Sequence, residues 1–122
     1  MILDFTGHDG IRRLKDEIDK VGCKDFDVHF LKTVDPWFCH VFTGQKTFEV
    51  RYDDRGYSVG NVLVLRHFIS YKPMLFGHLG IIATAGYITG HPLLPKGNVI
   101  ISIDVKSRFL LGEHTRDKEV LL

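Results

Sequence analysis

The sequence predicts a small α+β domain, a mostly antiparallel β-barrel of five or six short strands with two or three peripheral helices. Three observations carry that expectation. Strand-like segments recur along most of the chain, helical periodicity is confined to two short stretches, and Gly- or Pro-containing turns separate these segments. A chain of 122 residues fits one domain and can build an ordinary apolar core without disulfides or metal.

Ile11, Leu14, Ile18 and Val21 recur at steps of three and four, the stripe of an amphipathic helix over residues 10–21. Asp9 stands where an N-cap belongs and Gly22 where a helix stops. Opposite charges four apart (Arg12/Asp16, Arg13/Glu17, Asp16/Lys20) mark its exposed side, so the stripe is expected to pack on the core. Residues 27–33 are rich in β-branched and aromatic side chains and read as a strand. Asp35-Pro36 then opens a brief helix, a capping carboxylate followed by proline at the first helical position, and Gly44 ends it. Its aromatics Trp37, Phe38 and Phe42 are assigned to the core.

Residues 46–52 alternate, with Phe48, Val50 and Tyr52 on one face and Thr47, Glu49 and Arg51 on the other. Phe48 and Val50 are expected inside, and the polar set on an accessible concave face. Residues 53–56 and 59–61 are turns, and residues 61–68, apolar on both faces, form a central covered strand with Leu63 and Leu65 buried. Residues 79–89 and 98–105 are further strands, separated by a Pro/Gly-rich loop. Residues 69–78 are expected as a flexible connection and residues 106–122 as an extended or frayed tail. The chain thus divides into an N-terminal helix packed on the core (1–25), a barrel (26–106) and a C-terminal tail (107–122).

Composition narrows the function classes. The apolar fraction of 44% and charged fraction of 25% are those of an average globular protein, which excludes disordered, collagenous and coiled-coil chains. No apolar run approaches the ~20 residues of a membrane helix, and the first residues lack a signal-peptide pattern, so a cytoplasmic location and no membrane partner are expected. Sixteen Lys plus Arg against fifteen Asp plus Glu leave a formal charge of +1, so affinity for nucleic acid has to come from a local patch. Cys23 and Cys39 form no CxxC and read as a reduced pair. The seven histidines form no HxH, HxxxH or Cys/His cluster, and neither metal nor cofactor is expected.

Chemistry concentrates in Gly44-Gln-Lys-Thr-Phe-Glu-Val-Arg51. Thr47, Glu49 and Arg51 line up along about 13 Å of strand with Lys46 at its mouth. Such a row suits a polar ligand edge or a phosphate; an ordinary solvent-facing strand with cross-strand ion pairs has the same pattern. Tyr52 and Tyr57 flank the next turn, where a ring stacks on a base or packs on a barrel rim.

His29-Phe-Leu-Lys32, Pro36-Trp-Phe-Cys-His-Val-Phe-Thr-Gly44, Gln45-Lys-Thr-Phe-Glu-Val-Arg51, Asp53-Asp-Arg55 and Tyr57-Ser-Val-Gly-Asn-Val-Leu-Val-Leu65 together resemble the ASCH family of the PUA-like superfamily. More narrowly, they resemble an uncharacterised bacterial and phage branch that opens on His-x-Leu-Lys. The resemblance covers roughly residues 28–105. It implies a PUA-like β-barrel, a helix before the signature strand, and a cleft that binds RNA, single-stranded nucleic acid or a modified nucleoside. Lys46, Thr47, Glu49 and Arg51 match the family signature. His29, Lys32, Asp53 and Arg55 match the narrower branch, and Tyr52 joins them in the expected ligand-binding set.

Some relatives in that family deacetylate acetylcytidine and others are ribonucleases. The resemblance therefore also implies an alternative, a small hydrolase with Lys46 and Glu49 as its catalytic pair. The chain departs from the amidohydrolases at Glu49, where they carry a threonine nucleophile; a carboxylate there serves as a general base instead. A third expectation is a protein-interaction module, such as a phage inhibitor.

Overall fold

The computed structural model describes residues 1–22 and 27–112. The elements run β1 (Ile2–Phe5), α1 (Gly10–Gly22), β2 (Val28–Thr33), α2 (Trp37–Phe42), β3 (Phe48–Tyr52), β4 (Val62–Tyr71), β5 (Met74–Thr89) and β6 (Asn98–Leu111). The strands form one six-stranded sheet ordered β1-β6-β5-β4-β2, with β3 also paired to β6. Because β5 occupies one edge of β6, β3 (against residues 98–102) and β1 (against residues 108–111) lie end to end along the other.

The protein is thus a small α+β domain, but its sheet is mixed and open. β1–β6 and β2–β4 are parallel, the other pairs are antiparallel, and no main-chain ladder joins β2 to β3. Among the described residues three of the five pairings are antiparallel, as expected; the two parallel ones make the sheet mixed, and it is not a closed barrel. β1 and β2 each lead into a helix instead of a hairpin, and it is the hairpin that forces antiparallel neighbours.

Both faces of the sheet carry a core. Leu31, Phe38, Val41, Leu63, Leu65, Ile81 and Ile101 pack on the face covered by α2. Phe5, Leu14, Ile18, Val62, Val64, Ile82, Phe109 and Leu111 pack on the face covered by α1. The α1 stripe behaves as its spacing predicts, with Leu14 and Ile18 buried and Ile11 and Val21 packed beside them. Asp9 accepts the Arg13 N–H through its carbonyl (3.0 Å), as an N-cap residue does. Its carboxylate draws Arg12 to 3.1 Å, and Arg12 also lies 3.5 Å from Asp16. Glu17 instead accepts the Ser107 hydroxyl at 3.0 Å. The doubly apolar stretch of β4 is covered on both sides, as expected: Val62, Leu63, Val64 and Leu65 have no exposure.

Two expectations about connections are corrected. Residues 69–78 are a continuation of β4 into β5, with Ser70 opposite Leu75 and Tyr71 opposite Met74 around Lys72-Pro73. Proline is tolerated there because it occupies the turn, where no ladder donor is required. β6 runs to Leu111, past the expected strand end and into the expected tail, because β5 and β1 supply partners on both its edges. Residues 113–122, Cys23 and the 25/26 boundary lie outside the described residues.

Gly80 lies opposite Phe109 in the β5–β6 ladder, and a methyl group added there would fall inside the Phe109 ring. Phe109 itself has no exposure and little room to yield. Gly80→Ala is therefore expected to cost about 1–3 kcal/mol, read as a lower midpoint with an unchanged slope in a denaturant melt. A melt identical to the wild type would mean that the ring is free to move.

A candidate binding cleft at the open seam of the sheet

α2 ends at Phe42 with Thr43 as its C-cap, and Gly44 follows with a φ of 86° that suits a residue without Cβ. Lys46 N–H then returns to the His40 carbonyl (2.9 Å), and the Thr47 carbonyl accepts Ile103 N–H (2.9 Å). These bonds feed β3 into a register that sets Glu49 opposite Ile101, a fully buried core residue. Glu49 consequently points inward and is 2% exposed, whereas Phe48 and Val50 are each 42% exposed. The expected burial of Phe48 and Val50 is reversed.

Ion pairing explains the reversal. Glu49 Oε2 accepts Lys46 Nζ at 2.8 Å, and Oε1 accepts Arg51 Nη2 at 2.8 Å and Nε at 3.2 Å. A buried carboxylate is tolerable only when cations and donors surround it, and here they come from its own strand and the turn before it. Phe48, on the outer face, carries the Lys46 ammonium 5.0 Å from its ring centroid. Arg51 also crosses the open seam, donating from Nη1 to the Lys32 carbonyl (3.0 Å) and from Nη2 to Thr33 Oγ1 (2.9 Å). Arg55 Nη1 reaches the Phe30 carbonyl at 2.9 Å. Two arginines thus occupy the edge carbonyls of β2 where a barrel would have a ladder.

A cleft of about 450 Å³ opens at this seam, lined by Lys32, Thr33, Val34, Trp37, Lys46, Phe48, Glu49, Val50 and Arg51. Its size is that of an ordinary small-ligand site. A neighbouring hollow of about 370 Å³ is lined by Phe30, Lys32, Arg51, Arg55 and Tyr71, so Lys32 and Arg51 belong to both spaces.

Trp37, assigned to the core from sequence, is 51% exposed and forms part of the cleft wall. Successive residues on a helix diverge by about 100°, and Phe38 with Val41 already claims the buried side of α2. The adjacent Trp-Phe pair in a six-residue helix was the available signal: both rings cannot face one core.

The cleft gathers Lys32, Lys46, Glu49 and Arg51 from the expected set. The Thr47 side chain is exposed outside it, and Tyr52 is exposed with its ring against Gly97. Arg55 lines the neighbouring hollow. His29 and Asp53 do structural work. His29 Nε2 lies 3.1 Å from Asn61 Oδ1 and edge-on to Tyr57, while Asp53 Oδ1 accepts the N–H groups of Gly56 (2.8 Å) and Tyr57 (3.1 Å). Burial pushes the Tyr57 phenol up.

Asp35 does not cap α2 as expected; Pro36 holds the N-cap position. The Asp35 carboxyl is held below its ordinary range, chiefly by a hydrogen bond from Cys39 and further by His67, whose Nε2 is 2.8 Å away. The same contact raises the Cys39 thiol, the opposite of nucleophile activation. Among the described residues no His, Cys, Asp and Glu cluster could hold a metal ion, and no helix is long and apolar enough to cross a membrane.

The cleft's charge is positive: Lys32, Lys46 and Arg51 stand against Glu49 alone, a net of two. Lys32 has no carboxylate within ion-pair distance among the described residues, and its ammonium lies 5.4 Å from the ring centroids of both Phe68 and Tyr71. Fold and site together define a small α+β domain with a cationic, aromatic-walled cleft where two sheet edges meet.

Residues 28–103 match DUF3850, a domain of unknown function, and the chain belongs to that family. The match starts with β2 and ends within β6, so it contains every residue that lines the cleft and the hollow. No curated protein matches the chain.

Proposed function

We propose that the protein is a nucleic-acid-binding module that takes RNA or a modified nucleoside into the cleft between β2 and β3. The observation that carries this reading is the half-exposed Trp37 indole beside the Lys46–Glu49–Arg51 ion network. An indole face stacks on a base, the surplus cations neutralise phosphate, and the fixed donors address a base edge. Both Glu49 oxygens are engaged by Lys46 and Arg51, so Glu49 orients these cations. The ASCH resemblance supports the same reading, since signature residues Lys46, Glu49 and Arg51 share the cleft. In this reading the sheet is a PUA-like barrel opened at one seam, with Arg51 and Arg55 spanning the gap.

A second reading, a small hydrolase, is favoured by the 2.8 Å contact between Lys46 and Glu49, a distance suited to proton transfer. The two are separated by incubating the protein with RNA, single-stranded DNA and modified nucleosides including acetylcytidine, then measuring retention and product masses. Retention without product is expected. A net of two cleft cations predicts a log–log salt slope of about −1.4 for a single strand, at roughly −0.7 per phosphate. Product whose rate falls about a hundredfold in Glu49→Gln would replace the binding reading with the hydrolase. Retention of none of the probes would sink both, leaving the cleft as a scaffold feature of a protein-interaction module.

A further inference from the structure

We infer that the ligand is a strand of two or more nucleotides, and that the hollow beside the cleft receives the second phosphate and base. The inference rests on the nucleic-acid reading of the cleft and specifies its substrate class.

The two spaces meet at Lys32 and Arg51, which line both. A base stacked on Trp37 therefore has a cationic passage beside it, not a closed wall. Beyond that passage the hollow adds one more cation, Arg55, and the ring of Tyr71, with no carboxylate among its lining residues; Phe30 also lines it, but its side chain packs against the α1-face core.

The donors there are only partly spent. Arg51 uses Nε and Nη2 on Glu49 and Thr33 and one Nη1 hydrogen on the Lys32 carbonyl, leaving the other Nη1 hydrogen. Arg55 donates from Nη1 to the Phe30 carbonyl and its Nε stands 3.8 Å from Asp54; among the described residues its Nη2 has no hydrogen-bond partner. The Lys32 ammonium lies over rings, with no ion-pair partner among the described residues. Three cations converging on one hollow suit a phosphate.

Tyr71 supplies the platform. It is 68% exposed, yet its ring is held edge-on to buried Phe68 at a centroid distance of 4.5 Å and 64°. An exposed ring already braced by a buried one stacks on a base at little ordering cost. Trp37 and Tyr71 thus stand on either side of the Lys32/Arg51 pair, one lining only the cleft and the other only the hollow. A mononucleotide has a use for one of these platforms; a strand has a use for both. An added polypeptide strand fits less well, because Arg51 and Arg55 already occupy the edge carbonyls of Lys32 and Phe30 that it would need.

The test compares uridine 5′-monophosphate with fluorescein-labelled tetrauridylate, in the wild type, Tyr71→Ala and Arg55→Gln, by anisotropy and competition, with a thermal melt of each variant. Tetrauridylate is expected to bind the wild type about tenfold or more tightly than the monophosphate, given the usual gain per stacked base. That ratio is expected to shrink to less than about threefold in each variant, on removal of the ring or of one phosphate contact. Tyr71→Ala is expected to melt like the wild type, so its result stands even where Arg55→Gln loosens the seam. Equal affinity for the two probes would overturn the second subsite and leave the cleft reading intact. A ratio that survives in both variants would also overturn it, by locating the extra contacts elsewhere. Failure of both probes to bind would overturn the subsite and the cleft reading together.

Discussion

Arg51→Ala is expected to lower the free energy of unfolding by about 3 kcal/mol, and the melting temperature by roughly 10 °C. Two separate losses add in that one substitution. Glu49, with its side chain 3% exposed, keeps Lys46 as its sole cation among the described residues, and the carbonyl of Lys32 and hydroxyl of Thr33 lose their donors across the seam. Truncating one partner of a buried pair costs far more than the pair contributes, because the remaining charge stays desolvated. Arg51→Lys is expected to recover only part of the loss, since one ammonium cannot serve the Glu49 carboxylate and the β2 edge together. The double variant Glu49→Leu/Arg51→Met should melt closer to the wild type than Arg51→Ala does. Chemical-denaturant melts decide the matter. An Arg51→Ala protein as stable as the wild type would mean that the two cores alone hold β2 and β3 together.

Trp37→Ala is expected to act on binding, with little effect on the fold. Its indole is half exposed, and its one ring contact among the described residues is edge-on to His40 at 6.4 Å, so stability should change by less than about 1 kcal/mol. Loss of a stacking platform should weaken retention of single-stranded RNA by about 2 kcal/mol, roughly 30-fold. Trp37→Phe keeps a π-face and is expected to keep most of the affinity. Unchanged retention in Trp37→Ala would remove the stacking half of the argument and leave the cleft an anion site only.

Where the sequence could be read directly, one local pattern sufficed. The α1 stripe repeats over several turns, and its charges fall on the opposite side, so a single face was available to bury. The Val62–Leu65 run of β4 is apolar at consecutive positions and has to be covered from both sides wherever it lies. β1 and the end of β6 were illegible because they are strands by virtue of distant partners: among the described residues β1 pairs only with β6, and the end of β6 with β1 and β5. Residues 2–5 pair with residues 108–111, and a four-residue segment shows no period before its partner arrives. The β4–β5 hairpin hid for a related reason. Ile69, Tyr71, Met74 and Leu75 are all well exposed, so that stretch has no buried face to announce a strand.

From the residues alone came the α+β class, the strand segments that became β2 to β6, and the concentration of chemistry between Lys46 and Arg51. Tertiary structure decided which side of β3 faces inward. A period of two says only that the faces differ, and hydrophobicity by itself turns Phe48 and Val50 inward. Glu49 takes the inner side instead, because Lys46 and Arg51 neutralise it there and Arg51 satisfies two groups of β2 at the same time. That choice depends on β2 standing across the seam, residues away in sequence but within one side chain's reach. The cleft, its Trp37 wall and the open seam all follow from a contact that no local pattern encodes.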